Sequence, residues 1–472
     1  MLACTPNHSS DSSAPMSSIT LTVTDEPGYH IPTDFTGLSF ESDATGPNHR
    51  KVNGYFFGSF NKQAIMLFQN AAIRNLRIGG STVDRFHYAA YNRAAIDSVF
   101  SFAKAVGIKV IYSLPLLNAD ADSVAATALY IWTNYKDYLD SYSIGNEPNC
   151  PPYKQIAVGA IHTYEEYFPI WQKLSAAVIN VVPEAKFNGP DTGGWQYTME
   201  FARDTKDSTN VLFITHHQYP NGQPFLEDRK TRIPAEIAIN RMLSPGMLTG
   251  EYTKLHSLTC GRVHPFGYRS RMTESNDYLG GIDGASNAMS SALWALDYMH
   301  WQAFRGLAGI NFHNNQWLKT CTVTMDESGE YFANPKAHAI RAFDMVTGGW
   351  TTPVDISNPD NVNLTAYAMK CNDFLYMTIV NKEHGYGQEL PRQAEVTISA
   401  KGLTKGKAEA MYLLAPGNDA GALTGITLGG DSITNHRPWK GIWSPVKKKS
   451  DGHYRVNVPE SSAVVVKIPV IR

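Results

Sequence analysis

Ser141-Tyr142-Ser143-Ile144-Gly145-Asn146-Glu147-Pro148-Asn149 decides how the rest of the chain is read. Tyr142 and Ile144 alternate with small residues, the period of a strand, before Gly145 and Pro148 break the pattern in a polar turn. A strand that stops on Asn-Glu-Pro leaves one amide and one carboxyl at its C-terminal edge. In a (β/α)8 barrel that edge is where chemistry is done. Taken alone, Glu147 reads better as a solvated loop glutamate than as a catalytic group. A second carboxylate in the same structural context is what reverses that reading.

Working outward, seven more segments carry strand patterns: 35–41, 75–80 and 109–114 before the opening stretch, then 185–191, 211–215, 270–276 and 308–313 after it. The third ends near Asn118, an amide placed here among the substrate-binding candidates, and the sixth delivers His216, His217 and Tyr219 to its end. Between them lie helical stripes. Ile96, Val99, Phe100, Ala103 and Val106 share one face, followed by Gly107 where a helix C-terminus takes a left-handed residue. Tyr164, Phe168, Trp171, Leu174 and Val178 form another stripe, stopped by Pro183, which reads as packing against the sheet. Eight strands separated by helices predict an α/β fold, a closed parallel (β/α)8 TIM barrel.

From about Trp350 the texture changes to short strands between Gly, Asn and Pro turns, which predicts a C-terminal antiparallel β-sandwich. The alternating run Ile19-Thr20-Leu21-Thr22-Val23-Thr24 is expected to join it. The organisation read from the sequence is a leader over 1–18, an N-terminal sandwich strand in 19–30, the barrel over 31–345 and the sandwich over 346–472. Lys447-Lys448-Lys449 reads as a solvated hairpin turn.

The chain has 472 residues, 43% hydrophobic, enough for a large core. A formal net charge of -2 gives no global reason to expect nucleic acid or an anionic membrane as partner, although a basic cleft for a polyanion is compatible with it. There is no apolar run of 18 or so residues. Met1-Leu2-Ala3-Cys4 before a polar stretch resembles the end of a bacterial lipoprotein signal, with Cys4 the lipid-bearing residue and a secreted or cell-envelope location implied; an ordinary disordered tail is the other reading. The remaining cysteines are widely spaced without a CxxC pair, so neither a zinc site nor a disulfide framework is indicated, and Cys150 has no identifiable histidine partner.

Glu147 ends the fourth barrel strand and Glu274 the seventh, so the two side chains are expected to converge across the barrel mouth. Paired carboxyls there fit glycosidic bond hydrolysis: one gives a proton to the leaving oxygen, the other attacks or stabilises the anomeric carbon. Asn146, beside the acid, is placed to hydrogen-bond a sugar 2-hydroxyl.

Asn146-Glu147-Pro148 together with Glu274 resembles clan A of the retaining glycoside hydrolases. Gly145-Asn146-Glu147-Pro148-Asn149, His216-His217-Gln218-Tyr219 and Thr273-Glu274-Ser275 followed by Gly280-Gly281 resemble family 79, the heparanases and β-glucuronidases, over essentially the whole chain after residue 18. The resemblance implies Glu147 as general acid/base and Glu274 as nucleophile, with His217 and Tyr219 beside Glu274 and Glu41 near the sugar hydroxyls. It implies a uronate carboxylate held by a tyrosine hydroxyl and the N–H groups of a Gly-rich turn. Gly280 and Gly281 are in place, but the tyrosine, Tyr278, falls one position early, and Leu279 stands where it is expected.

The short segment 81–93 leaves little material to close one end of the cleft, which favours cutting inside a polymer. Arg85, Arg262, Arg269 and Arg271 are candidates to face sulfate or carboxylate groups. The main expectation is therefore a retaining endo-β-glucuronidase of heparanase type. It acts as a monomer on uronic-acid-containing polysaccharide, without metal or organic cofactor. An exo-β-glucuronidase or another clan A β-glycosidase is the enzymatic alternative, and a non-catalytic carbohydrate-binding lipoprotein the alternative of another class.

Overall fold

The computed structural model describes residues 16–49, 54–150, 161–315, 318–387, 390–400 and 402–471. The leader and Cys4 lie outside them. Eight parallel strands follow the N-terminal strand β1 (Met16–Val23): β2 (Thr36–Glu41), β3 (Asn75–Gly79), β4 (Lys109–Leu114), β5 (Leu139–Ile144), β6 (Phe187–Gly193), β7 (Val211–Gln218), β8 (Ser270–Ser275) and β9 (Gly309–His313). Each pairs with the next, and β9 returns to β2, closing the barrel. All eight strands expected from the sequence are present. The main difference is in β7, which runs through His216 and His217 to Gln218 rather than stopping at 215.

Local chemistry explains the connections. The helix Arg93–Val106 starts where Asn92 accepts from the Ala94 and Ala95 N–H groups, and ends at Gly107 with φ +89°. The helix Tyr164–Val181 starts where Thr163 accepts from Glu166 N–H, and it buries Tyr164, Tyr167, Trp171, Leu174 and Val178. Apolar residues of strands and helices form one continuous core around the barrel.

The C-terminal part is a two-sheet sandwich. A four-stranded sheet has the order Val354–Ser357, β1, Gln393–Ser399, Tyr454–Val458, with β1 parallel to Gln393–Ser399. A seven-stranded sheet is built on Leu364–Cys371, Phe374–Asn381, Ser462–Pro469 and Ala408–Leu414. Strict alternation in β1 buries Ile19, Leu21 and Val23 between the sheets, against Leu375, Met377, Val464 and Val466. The other face of the larger sheet places Tyr367, Met369, Met411 and Val465 in the barrel's core. A buried ion pair crosses this junction: Lys382 donates to Asp297 (2.8 Å), whose other oxygen accepts from Thr365 and Tyr367. Lys447, Lys448 and Lys449 are exposed at a hairpin. Among the described residues no helix is long and apolar enough to cross a membrane.

Candidate active site

The turn after β5 is shaped to turn Glu147 back over the barrel mouth. Gly145 (φ +83°) must be glycine, because a Cβ there would stand 2.7 Å from Leu116 Cβ. Glu147 itself is left-handed, with φ +49°, and its N–H donates to the Asp191 carbonyl at 2.8 Å. Asp84 ties the neighbouring loops together by accepting from the N–H groups of Leu116 (2.7 Å), Leu117 (2.8 Å) and Asn146 (3.2 Å). Gly193 on β6 leaves the space that Glu147 fills; a Cβ would meet its carboxyl carbon at 3.1 Å.

Glu274, near the C-terminal end of β8, is 8% exposed. Its Oε1 accepts from the Tyr219 hydroxyl at 2.7 Å, and its Oε2 accepts from Arg77 Nη1 at 3.0 Å. One carboxylate oxygen each of Glu147 and Glu274, with a ring nitrogen of His217, all lie within 4.8 Å of one another. The two acids therefore do converge, as their positions on opposite rims predict, in a cavity of about 430 Å³ that Asn146, Tyr219 and Glu41 also line.

A polar hub that the sequence reading missed lies under this pair. Arg77 on β3, with no exposed surface, donates to Glu274, to Asn146 Oδ1 (2.7 Å) and to Asp191 Oδ2 (2.6 Å). Asp191 also accepts from the Thr273 hydroxyl and lies 3.4 Å from His217 Nε2. The other ring nitrogen of His217 donates to Glu147 Oε1 at 2.8 Å. His313 closes the far side, 3.7 Å from Glu274 Oε2, with its other nitrogen bonded to Asn315 Nδ2 at 2.8 Å. Glu41 accepts from both the N–H and the hydroxyl of Thr82 (2.8 and 2.7 Å), which fixes its carboxylate at the pocket wall.

These contacts set the charges. Burial alone would push the Glu274 carboxyl up, but the His313 and His217 rings, the Arg77 guanidinium and the Tyr219 hydroxyl outweigh it and bring it down to about 2. Burial likewise opposes charge on Asp191, yet Arg77 and His217 hold it well below the usual carboxylate range. Burial disfavours the charged His217 ring, but Glu274, Asp191 and the hydrogen bond to Glu147 raise it to about 10. Glu147, His217 and Glu274 could in principle share a cation, but a histidine whose two nitrogens both face carboxylates is a proton donor rather than a ligand. The Cys150 thiol is pushed up to about 12, first by burial and then by Glu147, and stays a neutral thiol.

His217 is raised above its free value of 6.5, so its stabilising contribution is whole below that pH and fades as pH rises toward 10. His217→Gln should accordingly lose most stability near pH 6, with the gap from wild type narrowing toward pH 10. Denaturant melts across that range check this, and a gap that widens with pH would refute it.

Other sequence expectations are placed differently. Tyr278 does not reach the cavity: its ring is fully buried in the core, and its hydroxyl donates to the Ala238 carbonyl. Its orientation is set by Asp277, whose carboxylate accepts from the Tyr278 N–H (2.7 Å), Thr320 and Ser291. Leu279 and Gly280 line the pocket in its place, while Gly281 is packed under Thr320. Asn118 is exposed in a turn with φ +52° and does not line the cavity. Arg269 and Arg271 lie at the barrel floor, bonded to backbone carbonyls of Gly306 and Leu307 and to Asp34. Arg262 stacks on Trp195 at 4.6 Å. Of the four arginines considered, Arg85 alone lines the pocket.

A (β/α)8 barrel joined to a β-sandwich, with two carboxylates converging at the barrel mouth, is an architecture of glycoside hydrolases. Residues 366–465 match the glycosyl hydrolase family 79 C-terminal beta domain. The heparanase of Mus musculus is 29% identical over 147 residues, 29% of this chain and 27% of the mouse protein, and that of Rattus norvegicus is similar to the same extent. The match thus spans about a quarter of the length of these relatives. A 4-O-α-L-rhamnosyl-β-D-glucuronidase from Fusarium oxysporum 12S shares the fold with a TM-score of 0.71 at 17% identity, over 95% of this chain and 99% of that one. A GH51 arabinofuranosidase from Xanthomonas axonopodis pv. citri does so at 0.69 and 15%, over 96% and 100%. Over its C-terminal β domain the chain is thus similar to glycoside hydrolase family 79, and its barrel-and-sandwich fold is one that solved glycoside hydrolases share.

Proposed function

We propose that this protein is a retaining endo-β-glucuronidase of heparanase type, hydrolysing internal bonds of a uronic-acid-containing glycosaminoglycan by double displacement. The observation that carries the reading is the approach of the Glu147 and Glu274 carboxylates to within 4.8 Å. That is the close spacing of a covalent mechanism rather than the roughly 6.5–9.5 Å that leaves room for a water in direct displacement. Glu274, held ionised by Arg77, Tyr219 and the two histidines, attacks the anomeric carbon. Glu147 protonates the departing glycosidic oxygen and then takes a proton from the water that releases the glycosyl-enzyme. Asn146, its amide oxygen fixed on Arg77, is oriented toward the sugar 2-hydroxyl.

The partial likeness to the heparanases and the glucuronidase activity named for the Fusarium relative support the uronate part of this reading. The endo part rests on 81–93, where two short helices, Thr82–Arg85 and His87–Tyr91, stand in place of a long inserted loop. A secreted or envelope location and action as a monomer belong to the same proposal. Leu279 on the pocket wall favours a second reading, a clan A β-glycosidase for a neutral sugar, because an apolar side chain offers no partner to a carboxylate.

Incubation with heparan sulfate and with an aryl β-glucuronide separates these. Shortening of the polymer is expected; aryl release alone would indicate exo-action, and activity only on neutral glycosides would sink the uronate reading. Glu147→Ala should cost the polymer about 10²–10⁴-fold, the usual worth of a positioned acid, while an activated aryl glycoside loses far less. Equal losses on both would remove Glu147 as the proton donor.

A further inference from the structure

The cavity presents an electrostatic problem to an acidic sugar. Four of its lining side chains are carboxylates: Glu41, Asp43, Glu147 and Glu274. The buried guanidinium beneath them, Arg77, is fully engaged with Glu274, Asp191 and Asn146. A substrate carrying its own negative charge meets this row of carboxyl groups on entry, and an exposed cation on the wall would offset them.

Among the described residues, Arg85 is the one lysine or arginine that lines the cavity. Its backbone is held firmly. It closes the short helix Thr82–Arg85, where Thr82 is doubly bonded to Glu41 and Asp84 grips Leu116, Leu117 and Asn146. Its side chain is exposed and makes no hydrogen bond or ion pair among the described residues, whereas Arg74, Arg77, Arg269 and Arg271 are all bonded to protein oxygens. An unpaired guanidinium on a braced turn, at the edge of an acidic pocket, retains its full donor capacity for a planar oxyanion.

We propose that Arg85 is the specificity-determining residue of this pocket, binding an anionic group of the substrate, the carboxylate of a uronic acid or a sulfate ester. The inference rests on the glycosidase reading of the site and deepens it. In this chain the selective contact is a guanidinium on the β3 side of the cavity. On the β8 side, Tyr278 is turned into the core and Leu279 offers no donor side chain.

The test measures binding separately from turnover. A glucuronate-containing sulfated oligosaccharide is titrated calorimetrically into the Glu274→Gln protein with and without Arg85→Met, at low and high salt, beside a neutral oligosaccharide. Arg85→Met should weaken the acidic ligand about 10–100-fold, the range for a lost charged hydrogen bond, and flatten its salt dependence, while binding of the neutral ligand stays unchanged and shows the fold intact. Loss that persists with the desulfated oligosaccharide assigns the carboxylate as the partner. Loss that disappears on desulfation assigns the sulfate. Equal affinity of the two proteins for the acidic ligand would overturn the proposal. Absence of both heparan sulfate shortening and aryl β-glucuronide turnover by the wild-type protein would sink the glucuronidase reading instead, leaving the binding contrast to stand or fall by itself.

Discussion

Replacing Glu274 by glutamine should lower kcat by at least about 10⁴-fold on every substrate, polymer and activated aryl glycoside alike, as loss of a covalent nucleophile does elsewhere. The argument is geometric. The amide keeps the size of the side chain; its oxygen can still accept from Arg77 while its NH2 donates to the Tyr219 hydroxyl oxygen, so binding and fold persist while the attacking oxyanion is gone. External azide then provides the discriminating measurement. Entering the space left by the shorter side chain of Glu274→Ala, it should restore turnover of an activated substrate and give a glycosyl azide of inverted configuration at the anomeric carbon. With Glu147→Ala the glycosyl-enzyme still forms, and azide should give the retained configuration. Retained azide from Glu274→Ala, or substantial activity of Glu274→Gln without azide, would reject Glu274 as nucleophile.

Arg77→Met is expected to have the largest effect on stability. The side chain is fully buried and bonds two carboxylates, so its removal leaves the fully buried Asp191 and the nearly buried Glu274 with one cation fewer. Removing one partner of a buried ionic cluster costs about 3–5 kcal/mol, and urea denaturation at neutral pH should show a loss of that size. Both carboxylates are held low partly by this guanidinium, so the deficit should shrink as pH falls and they are protonated. The folded remnant should also need a higher pH to reach its maximal kcat, because Glu274 would ionise later. A loss under 1 kcal/mol with an unshifted acid limb would show that the cluster tolerates the missing charge.

The barrel was legible because its strands end in Gly, Asn and Pro turns and its helices carry clear apolar stripes. Glu147 and Glu274 were legible because acids at strand ends are chemically conspicuous. Arg77 was hidden inside Asn75-Leu76-Arg77-Ile78-Gly79, which reads as an ordinary strand. Its signal was there: parallel barrel strands are usually apolar on both faces, and here every second residue is polar or glycine. Asp191 was read only as the last residue of the fifth strand, 185–191, and nothing in that pattern marks its side chain as part of the site. Arg271 shows the opposite failure. It sits three residues before Glu274, and at about 3.3 Å per residue that places it roughly 10 Å lower, at the floor rather than the mouth. Tyr278 was misplaced because spacing along the chain does not encode how a turn rotates. The bonds of Asp277 to Thr320 and Ser291, over 40 and 14 positions away, decide that rotation.

The placement of β1 has a consequence for how the chain acquires its structure. Thr20 is aligned with Thr397, so the strand emerges from the ribosome roughly 380 residues ahead of its parallel neighbour. At about 5–20 residues per second that is a wait of some 20–75 s, during which the entire barrel is synthesised. Until then Ile19, Leu21 and Val23 have no sheet to cover them and remain open to non-native apolar contacts. Once β1 slots between Val354–Ser357 and Gln393–Ser399, it joins the segment before the barrel to the segments after it, and the barrel between them is closed off like a bead on a tied thread.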